Sequence, residues 1–276
     1  MPTSRKVNNK ALSSNIMLDG GDIAPLEVLT VYVNSVSGND NNSGSSSLPV
    51  KTFSKAVQIA SSKIAKEVVI DLAVGTYTSA SLKNILAGRV YIRGRTGVTM
   101  NGDIDLDDMN DKVVEIGGFT LNGGISGINR PPLSVRVYNM TINCTNGHAI
   151  ELNDISQLHV SYNTITASMY PIRLNNCGNI AIKGNTLTGN YICIEITHIA
   201  NANISNNTLS INQSISNSVA ISLINSAYGY IVNNEGSLGT IPFLESKASI
   251  IFKGSNSVTT SGQDIKGRGG LIYNAA

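Results

Sequence analysis

The chain has 276 residues, 14% of them charged, a net charge of +2 and a mean hydropathy of +0.05. No basic stripe with interleaved aromatics marks a nucleic-acid surface, and no acidic tail marks a basic partner. No apolar run approaches the roughly 20 residues that cross a bilayer, so membrane insertion is not expected.

Residues 1–29 stand apart from everything that follows. Lys6 to Ser13, Ile16-Met17-Leu18 and Asp22-Ile23-Ala24 are patterned but hold too little apolar matter to fold alone. The opening residues run into polar sequence and show no secretory signal. Residues 30–66 read as strand, loop and helix: Val31-Tyr32-Val33, then Ser37 to Gly44, then a helix after Pro49 that Thr52 can cap. Phe53, Ala56, Val57, Ala60 and Ile64 keep the 3, 4 spacing of one buried stripe, which predicts a helix packed on an apolar core.

Residues 67–235 carry the dominant signal, a repeat. Leu158-His159-Val160 with Asn163-Thr164-Ile165 recurs as Ile180-Ala181-Ile182 with Asn185-Thr186-Leu187, and again as Ala202-Asn203-Ile204 with Asn207-Thr208-Leu209, at steps of 22 residues. Val135-Arg136-Val137 fits one step earlier, with Met140 in place of the asparagine, and Val114-Glu115-Ile116 fits more loosely. A second triplet follows in each repeat: Ile150-Glu151-Leu152, Ile172-Arg173-Leu174, Ile194-Glu195-Ile196 and Ile221-Ser222-Leu223. Apolar–polar–apolar triplets predict strands with one buried face. A period of 20–30 residues predicts stacked units. Leucine-rich repeats have a similar period, but their Leu-x-x-Leu-x-Leu signature and helical segment are missing.

The fold class expected is therefore all-β, a right-handed parallel β-helix of about 22 residues per coil, with the helix after Thr52 as its N-terminal cap. Residues 236–276 supply irregular last coils. Asn163, Asn185 and Asn207 are expected at bends, where Asn tolerates left-handed backbone, and as a ladder of side-chain amides.

Two stretches resemble known families. Tyr32-Val33, Gly38-Asn39-Asp40, Pro49 to Phe53 with Ala56, Val69 to Tyr77 and Ile92-Arg93-Gly94 resemble the opening of the pectate-lyase-like β-helix superfamily. That superfamily includes pectinases, adhesins and bacteriophage tailspikes, so it implies a fold more than a reaction. Val7, Asn8, Leu12, Ile16, Leu18, Asp22 and Ile23 sit in a segment similar to one in bacteriophage tail fibres. There the pattern is Val-Asn-Gly-Lys-x-Leu, Ile-x-Leu and Asp-Ile/Val-Gly, from which Asn9 and Ala24 depart. The resemblance implies a homotrimeric tail fibre or tailspike, assembled in the host cytoplasm and carried on the virion. Residues 1–29 would join it to other tail or baseplate proteins, and its β-helix would face a bacterial surface polysaccharide.

Glu151, Arg173 and Glu195 stand at successive 22-residue steps and should form one exposed column, the acids about 9–10 Å apart. Inverting glycosidases place two carboxyls about 6.5–9.5 Å apart around a water. Arg173 stands between these two, and a guanidinium favours the ionised carboxylate, the opposite of what a general acid requires. A cross-strand ion ladder is the expected reading, with Glu151 and Glu195 as catalytic candidates in the alternative of a polysaccharide hydrolase or lyase. Arg173, Tyr162, Tyr170 and Tyr191 are the candidate glycan contacts, although 5% aromatics and no Trp argue against a processive depolymerase.

The acidic run Asp103, Asp105, Asp107, Asp108 and Asp111 lacks the glycine and glutamate of a helix–loop–helix calcium site. Asp103, Asp105 and Asp107 are expected on one outer strand face, with Lys83 a neighbour of Asp105. His148, His159 and His198 fall at different repeat positions, form no ligand pattern and are expected at the surface. Cys144, Cys177 and Cys193 also fall at different positions and read as buried thiols of a protein made in a reducing compartment. No cofactor and no metal are expected. The reading favoured is a non-enzymatic tail fibre; a secreted adhesin ranks third.

Overall fold

The computed structural model describes residues 6–7, 10–11, 25–109, 111–129, 132–212, 218–226, 228–247, 249–267 and 269–274. Asn8, Leu12, Ile16, Leu18, Asp22 and Ile23 lie outside them. Val7 belongs to a short antiparallel pair, Lys6–Val7 with Lys10–Ala11.

The rest is a parallel β-solenoid. Eleven strands, from Leu26–Val33 to Leu271–Asn274, stack in a long sheet. A nine-stranded sheet runs from Gly75–Thr78 to Ser257–Thr260, and an eight-stranded sheet from Ile104–Asp105 to Ile265–Lys266. Each coil visits the three in turn, so like residues pair: Ile150 with Ile172 with Ile194, and Leu158 with Ile180 with Ala202. Alternating burial along these strands sends Leu158, Val160, Ile165, Ile172 and Leu174 into one core that runs the length of the solenoid. The 22-residue period is this register, seen in the sequence.

The N-terminal end is closed by a helix, Phe53–Ser61, that buries Phe53, Ala56, Val57 and Ala60. Thr52 caps it, its hydroxyl accepting the Lys55 N–H at 3.1 Å. Asp40 in turn accepts the N–H groups of Lys51 and Thr52, each at 2.9 Å. Burial works to raise the Asp40 pKa, but these N–H groups and the Thr52 hydroxyl hold it below its ordinary value. Ile64 does not extend the buried stripe. The helix ends at Ser61, and Ile64 is 47% exposed, bridging to Leu86 at the edge.

The asparagine ladder is longer than the sequence suggests, and it solves a different problem. Asn163, Asn185, Asn207, Asn234 and Asn256 fill the corner between the long and nine-stranded sheets. The Oδ1 of each of the last four accepts both the backbone N–H and the side-chain amide of the Asn one coil before, at 2.8–3.0 Å. The second amide hydrogen goes to a backbone carbonyl, as from Asn185 to Val160 and from Asn207 to Ile182, both at 2.9 Å. Asn207 and Asn234 are wholly buried, where an unpaired amide would be costly. The left-handed bend falls one residue earlier, at Tyr162, Gly184, Asn206 and Asn233. The ladder residues therefore satisfy buried backbone and do not themselves make the turn.

Candidate functional site

On the eight-stranded sheet the register sets Glu151 opposite Arg173, and Arg173 opposite Glu195. The guanidinium bridges both acids: Nη1 lies 3.0 Å from Glu151 Oε1, and Nε lies 3.1 Å from Glu195 Oε1. The side chain of Arg173 thus occupies the gap between the carboxylates, where a glycosidic oxygen or an attacking water would have to sit.

His148, expected at the surface, is instead half-buried beside this column. Its ring packs on Tyr170 with centroids 4.8 Å apart, and its Nε2 lies 3.3 Å from Arg173 Nη1. Its Nδ1 is buried with no hydrogen-bond partner among the described residues. Burial lowers the His148 pKa, with Arg173 adding to the shift and Glu151 opposing it, so the imidazole is neutral at pH 7. Burial, with help from Glu195, raises the Tyr170 phenol. Tyr170 thus joins the Glu–Arg–Glu column, and Tyr191 is near enough to Tyr170 to act on its charge.

Tyr162 does not join them. It lies on another side of the solenoid, in a groove with Glu115, Arg136, Tyr138 and His159.

The acidic run serves the backbone. Asp103 Oδ1 accepts the Gly124 N–H at 2.6 Å, and Asp107 Oδ1 accepts those of Ile128 and Asn129 at 2.8 and 2.9 Å. Only Ile104–Asp105 is strand. The Asp105 carboxylate bonds to the Ser81 hydroxyl at 2.8 Å, while the Lys83 charge acts on Asp107. Burial works to raise the Asp107 pKa, but the bonds from Asn129 and Ile128 hold it below its ordinary value. No group of three or more His, Cys, Asp or Glu that could hold a metal occurs among the described residues. The three thiols are buried and free, and burial raises the pKa of each, that of Cys193 to about 12.

The sequence reading missed a second constellation, on the outward face of the long sheet. Pairing aligns Asn203 with Tyr230, Phe252 and Tyr273 in one column. A neighbouring column aligns Asn179 with Asn201, Tyr228, Ile250 and Leu271. Phe252 and Tyr273 stack at 5.6 Å with an interplanar angle of 21°. The signal lay in Tyr228-Gly229-Tyr230, Ile250-Ile251-Phe252 and Leu271-Ile272-Tyr273, at steps of 22 and 21 residues.

Residues 36–260 match the family described as "Protein of unknown function (DUF1565)". The chain belongs to that family. No curated protein matches it. Among solved structures it is similar to a GH136 lacto-N-biosidase from Eubacterium ramulus, with 8% identity and a TM-score of 0.45, over 89% of this chain and 68% of that one. Among the described residues no helix is long and apolar enough to cross a membrane.

Proposed function

We propose that this member of the family is a bacteriophage tail fibre or tailspike whose β-solenoid binds a bacterial surface polysaccharide without cleaving it. The observation that carries the second half of this reading is the guanidinium of Arg173 lodged between Glu151 and Glu195. The one column that spaces two acids for glycoside hydrolysis is filled by their counter-ion. The first half is supported by the tail-fibre-like segment at residues 6–24 and by a stiff stack of coils suited to a shaft. Attachment to the virion runs through residues 1–29, and the working unit is a homotrimer, in which low-charge side faces are covered by copies of the chain.

The test is to mix the full chain with smooth or capsulated cells and with their purified polysaccharides. Retention on the cells is expected, with no release of reducing ends or unsaturated sugars. Release that disappears in Glu151→Gln or Glu195→Gln would establish the depolymerase alternative instead. Sedimentation returning a monomer at micromolar concentration would remove the trimer.

A further inference from the structure

We propose that the groove along the C-terminal part of the long sheet is a subsite for an uncharged glycan chain lying parallel to the solenoid axis. The proposal rests on the polysaccharide-binding reading above and names the place and the class of sugar. The groove has a volume of about 330 Å³ and runs between the two outward columns, with Asn179, Asn201 and Asn203 at one end and Tyr228, Tyr230 and Phe252 at the other.

Three observations converge. The first is exposure: Tyr230, Phe252 and Tyr273 are 50%, 42% and 51% exposed although they stand in register on adjacent strands. Aromatic rings left open in a row form an apolar patch that marks a binding surface. A pyranose ring offers an apolar C–H face that fits such rings, and strand spacing sets successive rings about 4.8 Å apart along the groove.

The second is the amides. Sugar hydroxyls need donors and acceptors close to the stacking rings, and Asn201 and Asn203 continue the two columns directly into amide groups. Asn201 is already held by its bond to Asn179 Oδ1 at 3.0 Å, so part of the polar edge is fixed before a ligand arrives. A mostly apolar floor with a few placed polar groups is the usual make-up of a small-molecule or oligosaccharide site.

The third is charge. From Asn179 and Ala181 onward neither column contains Lys, Arg, Asp or Glu. A uronate or sulfate laid in this groove would lose water without gaining a counter-ion, whereas a neutral hexose or N-acetylhexosamine would not incur that cost.

The experiment uses the full chain and two purified O-antigen polysaccharides, one with uncharged repeats and one with uronate repeats, with affinity measured by calorimetry. Wild type should prefer the uncharged polymer. Tyr230→Ala and Phe252→Ala should each weaken that binding at least about tenfold. Tyr230→Phe should restore it, and Arg136→Ala, on the same face but far from the groove, should leave it unchanged. These side chains are exposed, so unchanged thermal melts are expected to show that the variants fold.

Equal binding of the uncharged polymer by wild type and both alanine variants would overturn the subsite while leaving polysaccharide binding standing. Preference for the uronate polymer would overturn it on charge. Failure of wild type to bind any surface polysaccharide would instead strike the function proposed above. If Phe252→Ala dissociates an oligomer in sedimentation without changing glycan affinity, the face belongs to a second copy of the chain and the proposal is wrong.

Discussion

Between residues 65 and 140 the corner joining the long and nine-stranded sheets is filled by Phe119 and Met140, both buried apolar side chains. From residue 163 onward the same corner holds the asparagine ladder. The outward face of the long sheet changes as well. Its N-terminal part carries Lys66 with Glu27 at 2.7 Å, Arg89 near Glu67, Arg136 near Glu115, and Arg93 over the Tyr91 ring at 4.6 Å. Its C-terminal part carries amides and then aromatic rings. One backbone template thus accepts two chemistries, because parallel stacking fixes only which side chains face each other. The same freedom lets one half serve as a solvated, charge-paired shaft and the other present an uncharged surface.

The largest test of that contrast is in the buried corner. Replacing Asn207 with leucine removes the acceptor for the Asn185 N–H and amide, and the donor to Ile182 and Asn234. With each buried orphan costing about 1–3 kcal/mol, Asn207→Leu should destabilise by about 3 kcal/mol or more. Met140→Asn is the reverse experiment. The new amide would stand where Asn163 Oδ1 already accepts the Met140 N–H at 2.9 Å, so it extends the ladder by one rung. Its cost should stay within about 1 kcal/mol. Urea-dependent unfolding rates measure both changes even where refolding is incomplete. Equal losses would show that the two corner chemistries are not interchangeable.

How much of this could be read beforehand follows from what repeats. The strands, the stacked asparagines and the Glu151–Arg173–Glu195 column were legible because side chains of the same kind recur at one spacing. The left-handed residue before each asparagine was not, because Tyr162, Gly184 and Asn206 share a backbone angle but no side-chain type. The aromatic column was obscured by the five extra residues between Asn207 and Asn234, which break the 22-residue step just before Tyr230 lines up with Phe252. His148 shows a third limit. Its contacts with Tyr170 and Arg173 reach across coils, and they depend on a side-chain direction that spacing alone does not fix.

Acid should separate the halves next. The folded pKa values of Asp40 and Asp107 lie below the ordinary value of 3.8, so the stability they supply is fully present above that pH. It is lost as pH falls through the folded values. Both residues hold backbone in the N-terminal half, whereas the amides of the ladder have no proton to gain in this range. Pepsin cleavage at successively lower pH should therefore begin within residues 30–140 before it reaches residues 160–250. Cleavage that begins in the ladder region would contradict the contrast.

The smallest expected effects are in the exposed ion pairs. Arg136 meets Glu115 at 3.7 Å and is 53% exposed, while Arg173 makes two contacts near 3 Å and is 45% exposed. Exposed pairs contribute about 0.2–1 kcal/mol and are screened by salt. Arg136→Met should thus cost only a few tenths of a kcal/mol, and Arg173→Met up to about 1 kcal/mol, both shrinking in 1 M salt. The larger loss at Arg173 follows from two acids losing one shared partner. That variant also empties the gap between Glu151 and Glu195 without touching either acid. If it remains unable to release reducing ends from a bound polysaccharide, the carboxylates lack more than access. If release begins, Arg173 alone was keeping a hydrolytic pair apart, and the eight-stranded sheet would hold a blocked active site.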